Sequence, residues 1–238
     1  MAAELVAHEQ RWLPQIAPRL PLPIPAPVGI GRPGLGYPWS WSVCPWLPGD
    51  VAQRTPPSDL MDAATVLGAF LAALHRPAPI DAPHNPFRGV PLEDRVATMY
   101  QRVEQLGTDI DGRAVLASWE QLVATAPNAA PPVWLHGDLH PANVLVHRGR
   151  VTAVIDFGDI TSGDRATDLS IAWMLFPPDS RARFRAAAGA VDDDTWARAR
   201  GWALTLAVTY LAASADDAVI GREARQTIAA VLAETADG

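Results

Sequence analysis

The apolar positions of this 238-residue chain divide it into a short mixed segment, a helical block, a cluster of brief strands and a second helical block. Over residues 2–17, Leu5, Trp12 and Ile16 suit one face of a short helix with Glu9 in its middle, and Pro14 is expected to kink it or begin a second turn. Residues 18–38 are dense in proline and glycine, which predicts extended and turn structure with a brief strand over 28–30. Trp39, Trp41 and Val43 then alternate with Ser40, Ser42 and Cys44, the period of a strand over 39–47, which Pro45, Pro48 and Gly49 end. Beyond that linker the period changes. Leu60, Leu67, Phe70, Leu71 and Leu74 recur at helical spacing, with Ser58 as the expected N-cap. A second helix is expected from Pro91, with Val96, Met99, Val103 and Leu106 on one face. A third spans 112–125, with Val115, Trp119 and Leu122 inward. Brief strands follow at 133–135, 144–147 and 151–155, the last two joined by a turn at Arg148, Gly149 and Arg150. The remainder reads as helices over 165–175, 180–190, 193–214 and 217–235.

The strand cluster carries the chemistry. Residues 136–143 read His-Gly-Asp-Leu-His-Pro-Ala-Asn, and 13 residues after Asn143 comes Asp156-Phe157-Gly158, closing an apolar run. A carboxylate and an amide five positions apart on a loop, followed by a carboxylate at a strand end, form a phosphoryl-transfer constellation. In that reading Asp138 accepts the proton of an attacking hydroxyl, while Asn143 and Asp156 supply oxygen ligands to Mg²⁺. A lone Asp after Gly137 would be read as a turn residue; its coincidence with Asn143 and Asp156 reverses that. His136 and His140 are expected to hold the loop by hydrogen bonds to backbone and carboxylates. The competing reading takes His136, Asp138 and His140, with His147, as the ligands of a divalent-metal hydrolase, but it leaves Asn143 and Asp156 unexplained. Asp168, beside the apolar run Leu169, Ile171, Ala172 and Trp173, is expected to be buried and bonded to the catalytic-loop backbone, and Asp164 or Thr167 to cap the helix that follows.

Composition narrows the class. Nineteen basic against 26 acidic residues give a net charge of −7, which argues against nucleic-acid binding. Cys44 is the single cysteine, excluding an intrachain disulfide framework. No apolar stretch reaches the roughly 20 residues of a membrane helix, and the first residues lack the pattern of a signal peptide. A cytoplasmic protein without a membrane partner is the expectation.

Residues 136–143, 154–159 and 163–169 resemble the signature blocks of the aminoglycoside phosphotransferase family, relatives of choline kinases and protein kinases. The resemblance extends through 9–25, 37–49 and the helical tail. It implies an α+β, protein-kinase-like bilobal fold, with a truncated β-rich N-lobe and hinge over 1–48 and a mainly helical C-lobe over 49–238. It implies Asp138 as catalytic base and Asn143 and Asp156 as Mg²⁺ ligands. Glu9 would be the helix glutamate that pairs with a nucleotide-binding lysine. Ser42, Val43, Cys44 and Trp46 would form the hinge that binds the base of ATP (or GTP), and the substrate would be a small-molecule hydroxyl compound.

The same comparison marks what is absent. No glycine-rich phosphate loop precedes Glu9, and all 19 basic residues are arginine, so the chain contains no lysine. Gly29, Gly31, Gly34 and Gly36 lie after the helix and among prolines, where a loop is the better reading. Three expectations follow: a lowered turnover, a non-catalytic pseudokinase-like alternative, and homo-oligomer formation through uncovered aromatics of the N-terminal region. Asp192, Asp193, Asp194, Asp216, Asp217 and Glu223 are candidates for an acidic substrate pocket, though caps and solvated helix surface explain most of them better.

Overall fold

The computed structural model describes residues 2–213 and 217–236. Its first helix, α1 (Ala2–Ile16), continues past the exposed Pro14 and seats Trp12, Leu13 and Ile16 in the core. A two-stranded antiparallel ribbon follows, β1 (Gly29–Gly31) with β2 (Trp41–Val43). The predicted nine-residue strand is thus three residues long. Trp39, Trp41, Val43 and Trp46, in and beside the ribbon, are exposed.

The linker holds an element the pattern concealed. Asp50 and Val51 form β3, which pairs with β5 (Val144–His147), and β5 pairs in turn with β6 (Arg150–Val154). Two residues are too few to show a period. The turn between β5 and β6 has positive φ at both Arg148 and Gly149, the conformation that a two-residue hairpin requires. A further small sheet joins β4 (Val133–Leu135) to β7 (Thr161–Gly163).

The helical mass consists of α2 (Leu60–Leu74), α3 (Val96–Leu106), α4 (Gly112–Val123), α5 (Ala166–Leu169), α6 (Ile171–Leu175), α7 (Pro178–Ala187), α8 (Asp193–Ala213) and α9 (Ala218–Ala236). Asp59, not Ser58, caps α2: its carboxylate accepts from the backbone of Met61 and Asp62. Ser58 instead donates to the carbonyl of Gly149, tying the helix start to the β5–β6 turn. Pro91 leads into a 3₁₀ turn (Leu92–Arg95) before α3 begins. Helix α8 is apolar nearly all round, with Trp196, Ala199, Trp202, Leu206 and Val208 buried, as expected of a central helix packed on several sides. Trp12 of α1 lies with its ring centroid 4.8 Å from that of Trp134, so α1 joins the same apolar core as the strands and helices that follow.

Candidate active site

Loop 136–143 leaves β4 and enters β5, and its conformation is fixed from beneath by one carboxylate. Asp168 on α5 is fully buried and accepts hydrogen bonds from the backbone N–H of His136 (2.9 Å) and of Gly137 (3.0 Å). His75, at the C-terminal end of α2, reaches the same carboxylate at 3.0 Å. Gly137 has φ +89°, and a Cβ there would run into the carbonyl oxygen of Asp159, so the loop can pass over the 157–159 turn only with glycine.

His136 is fully buried and stacked at 4.4 Å against Phe157. Its Nδ1 accepts the N–H of Asp138 (3.3 Å), which leaves Nε2 to donate to the carbonyl of Ile155 (2.9 Å). Both ring nitrogens are therefore engaged and neither is available to a metal. His147 is exposed at the end of β5. Among the described residues, no group of three His, Cys, Asp or Glu side chains is arranged to hold a metal ion.

Asp138 is the centre of the arrangement. Its Oδ1 accepts from Tyr210 Oη at 2.7 Å and from Arg88 Nη2 at 2.9 Å, while His140 Nε2 lies 3.6 Å from Oδ2. Burial on its own would raise the carboxyl's pKa. The hydrogen bond and charge of His140, the Arg88 guanidinium and the Tyr210 hydroxyl overcome that and hold it well below the usual carboxylate range. Tyr210 responds in the opposite sense: burial first, then the Asp138 charge, push its phenol well above the ordinary value. Asp138 is thus an anion with one oxygen bonded by two donors and the other facing His140.

Neither Arg88 nor Tyr210 was identified from the sequence. Tyr210 lies within the apolar pattern of α8. Arg88 is carried by a strap over residues 83–89 that has no periodicity and is laced to the site segments. The carbonyl of Pro83 accepts from Ser162 N–H and Thr161 Oγ1, Asn85 donates to Asp159, and Gly89 N–H donates to Thr167 Oγ1. The Asn-Pro pair at 85–86 and Gly89 were the only local signals of an ordered turn.

The hairpin places the remaining oxygen donors. Val144 pairs with Val154, and the carbonyl of Asn143 accepts from the N–H of Ile155 (2.9 Å), so Asn143 and Asp156 leave the same end of the hairpin. Asn143 is buried, and its Nδ2 donates to the carbonyl of Asp138 (2.9 Å), which turns Oδ1 the other way. Asp156 is exposed and left-handed (φ 64°), a conformation that non-glycine residues adopt rarely and at a cost. Burial, and then the Asp156 carboxylate, push Glu9 above its ordinary pKa, and burial followed by Glu9 pushes the Cys44 thiol up. No ion pair involving Glu9 occurs among the described residues. The Asp156 carboxylate and the Asn143 amide oxygen are donors of the hard-oxygen kind that suits Mg²⁺.

On the other side of this space, Gln10 bonds Ser42 Oγ and the carbonyl of Trp41, while the carbonyl of Val43 is taken by Val28 N–H. Trp46 is 91% exposed. Of the acidic tail residues, Asp192 accepts from Thr195, Asp193 pairs with Arg185 at the surface and Asp217 caps α9; Asp216 lies outside the described residues. Asp164 bonds the N–H of Ala166 and, in the interior, Arg198 Nε at 2.6 Å.

Comparison with known proteins identifies the family and the fold. The model of the phosphotransferase enzyme family matches residues 1–202, and the chain belongs to that family. It is 26% identical over 164 residues to an aminoglycoside 3'-phosphotransferase of Escherichia coli, covering 65% of this chain and 60% of the relative. It is 34% identical over 143 residues to the aminoglycoside 3'-phosphotransferase of Streptomyces fradiae, covering 56% and 52%. The chain thus spans between about half and three-fifths of the curated relatives it matches. Among solved structures, the GDP complex of wild-type aminoglycoside 2'-phosphotransferase-IIIa superposes with a TM-score of 0.67 at 21% identity, over 98% of this chain and 83% of that one. The fold is the α+β, kinase-like fold of these enzymes.

Proposed function

We propose that the chain transfers the γ-phosphoryl group of ATP or GTP to a hydroxyl of a small molecule, with Asp138 as the base. The observation that carries this reading is the setting of Asp138: its carboxylate is held through one oxygen by Tyr210 and Arg88, and its backbone carbonyl accepts from Asn143 Nδ2. Positioning and charge supply most of the catalysis of such a transfer. Asp138 orients the acceptor hydroxyl and takes its proton as the new oxygen–phosphorus bond forms and the bond from the γ-phosphorus to the β-phosphate oxygen breaks, releasing ADP or GDP. Arg88 and Tyr210 keep the carboxylate aimed, and Asp168 keeps the loop in register beneath it. Asn143 and Asp156 would hold Mg²⁺, which when bound offsets the charge of the nucleotide phosphates. The segment Ser42, Val43, Cys44 and Trp46 would meet the nucleotide base. The first 48 residues act as a partial N-lobe over a C-lobe formed by the rest, and the protein works in the cytoplasm. No helix among the described residues is long and apolar enough to cross a membrane.

The test is phosphorylation of a panel of hydroxyl compounds with Mg·ATP and Mg·GTP, followed by mass spectrometry. Wild type is expected to transfer, at a rate lowered by the lack of a lysine for Glu9, and Asp138→Asn to bind nucleotide without transferring. Absence of both transfer and nucleotide binding would sink the reading.

Glu9 favours a second one. A half-buried carboxylate with no cationic partner is what a family member that binds ligand without turnover would keep. Mg·ATP raising the melting temperature with no product formed would support it.

A further inference from the structure

Beside Asp138 lies a cavity of about 250 Å³, at the small end of ligand sites. Tyr210 and His140 form the wall it shares with Asp138, and their rings lie 5.3 Å apart. Met174, Ala207, Ile220 and Ala224 supply apolar walls from α6, α8 and α9. The polar remainder is largely committed. Thr227 donates to the carbonyl of Glu223, and Gln53 Nε2 donates to Glu223 Oε2 at 2.6 Å. Among the described residues Glu223 Oε1 has no hydrogen-bond or ion-pair partner.

Charge distinguishes what this space can accept. Asp138 stands behind the Tyr210–His140 wall and is offset by Arg88, and among the described residues Glu223 is the carboxylate that lines the cavity. Burial raises its pKa above the ordinary value, against the opposing effects of Gln53 and His140. A polyamine would bring several ammonium groups against aliphatic walls, each losing hydration with no counter-charge to replace it. A molecule with one ammonium loses hydration at one point, where a carboxylate meets it, and its carbon skeleton gains from the apolar walls.

We propose that the acceptor is a compact, largely apolar alcohol carrying a single amine, with the ammonium on Glu223 and the hydroxyl at Asp138. This sets the chain apart from the aminoglycosides for which its relatives are named, and it rests on the reading of Asp138 as the base.

Binding is measured by calorimetry without nucleotide, using 2-(benzylamino)ethanol, its uncharged analogue 2-(benzyloxy)ethanol, and kanamycin. The monoamine is expected to bind most tightly, and Glu223→Gln to weaken it about tenfold while leaving the weak binding of the ether unchanged. Ala207→Leu, which fills the cavity from its apolar side, is expected to abolish binding of both. The inference is overturned by kanamycin binding more tightly than the monoamine, by no monoamine binding at millimolar concentration, or by equal monoamine affinity in wild type and Glu223→Gln. Calorimetry without nucleotide tests the pocket alone; monoamine binding there with no phosphorylated product in a separate assay with Mg·ATP and Mg·GTP overturns the proposed reaction and not the pocket. Transfer with a Glu223-independent affinity does the reverse.

Discussion

Tyr210 and Arg88 show how a base can be held without being made strongly basic. Removing the Tyr210 hydroxyl withdraws one of the two donors that meet Oδ1 of Asp138. Tyr210→Phe is therefore expected to raise the Asp138 pKa and move the acid limb of the rate–pH profile upward, with a modest loss of turnover, about fivefold to tenfold. Asp138→Asn should cost about 10²–10⁴ in turnover while leaving nucleotide binding intact, as steady-state kinetics and titration would show. The linkage follows the same direction. Because the folded-state pKa of Asp138 is depressed, its ionised form contributes stability above the ordinary carboxylate value, and that contribution is lost as the pH falls below it. Thermal melts in the acid range of wild type and Asp138→Asn should converge. Asp138, Asn143 and Asp156 are legible in the sequence as candidates because their spacing is chemical. Arg88 and Tyr210 are not, because a long cation in an aperiodic strap and a phenol in an apolar helix carry no pattern that tells a site from a surface or a core.

Short elements are where sequence and structure part. Helices α7, α8 and α9 lie close to their predicted spans because their apolar positions continue over several turns, whereas the helix expected over 165–175 is two short ones, α5 and α6, that meet at Ser170. Strand β3, at two residues, and β7, at three, have no room for a repeat; they exist because β5 and β4 offer them partners. The predicted strand over 39–47 fails for the complementary reason: beyond Val43 it has no ladder, and Pro45 and Pro48 lack the N–H to extend one. Loop 136–143 is itself an element held by contacts. Gly137→Ala would force a Cβ against the Asp159 carbonyl at positive φ, and is expected to cost about 2 kcal/mol or more of stability and most of the activity. Chemical denaturation and a transfer assay measure the two losses. Asp168→Ala, which strands two backbone donors in the interior, should destabilise by about 3–5 kcal/mol, and Asp168→Asn by less.

At the scale of the molecule, the aromatics of the β1–β2 ribbon lie open. Trp39, Trp41 and Trp46, with Ile30 and Leu35, are exposed around a ribbon of two strands. Self-association through this face is the expected outcome; light scattering at rising concentration checks it, and Trp46→Ser with Leu35→Ser should reduce it. Glu9 has a raised pKa, so its ionisation opposes folding, and stability falls as the pH rises through that raised value. Glu9→Gln should therefore raise the melting temperature at neutral pH by about 2–4 °C, with the difference vanishing in acid and shrinking when Mg²⁺ is added. The hairpin from Asn143 to Asp156 has a consequence for comparing one family member with another. Thirteen positions separate the two donors along the chain, but that number is only the length of the path out along β5 and back along β6. The path already holds one unmatched residue, Thr152, at the bulge opposite Leu145 and Val146. Lengthening both arms together would change the number and leave the relation of the two donors intact, so a sequence search for this chemistry should allow the gap to vary in steps of two, and by one where a bulge takes up the unmatched residue.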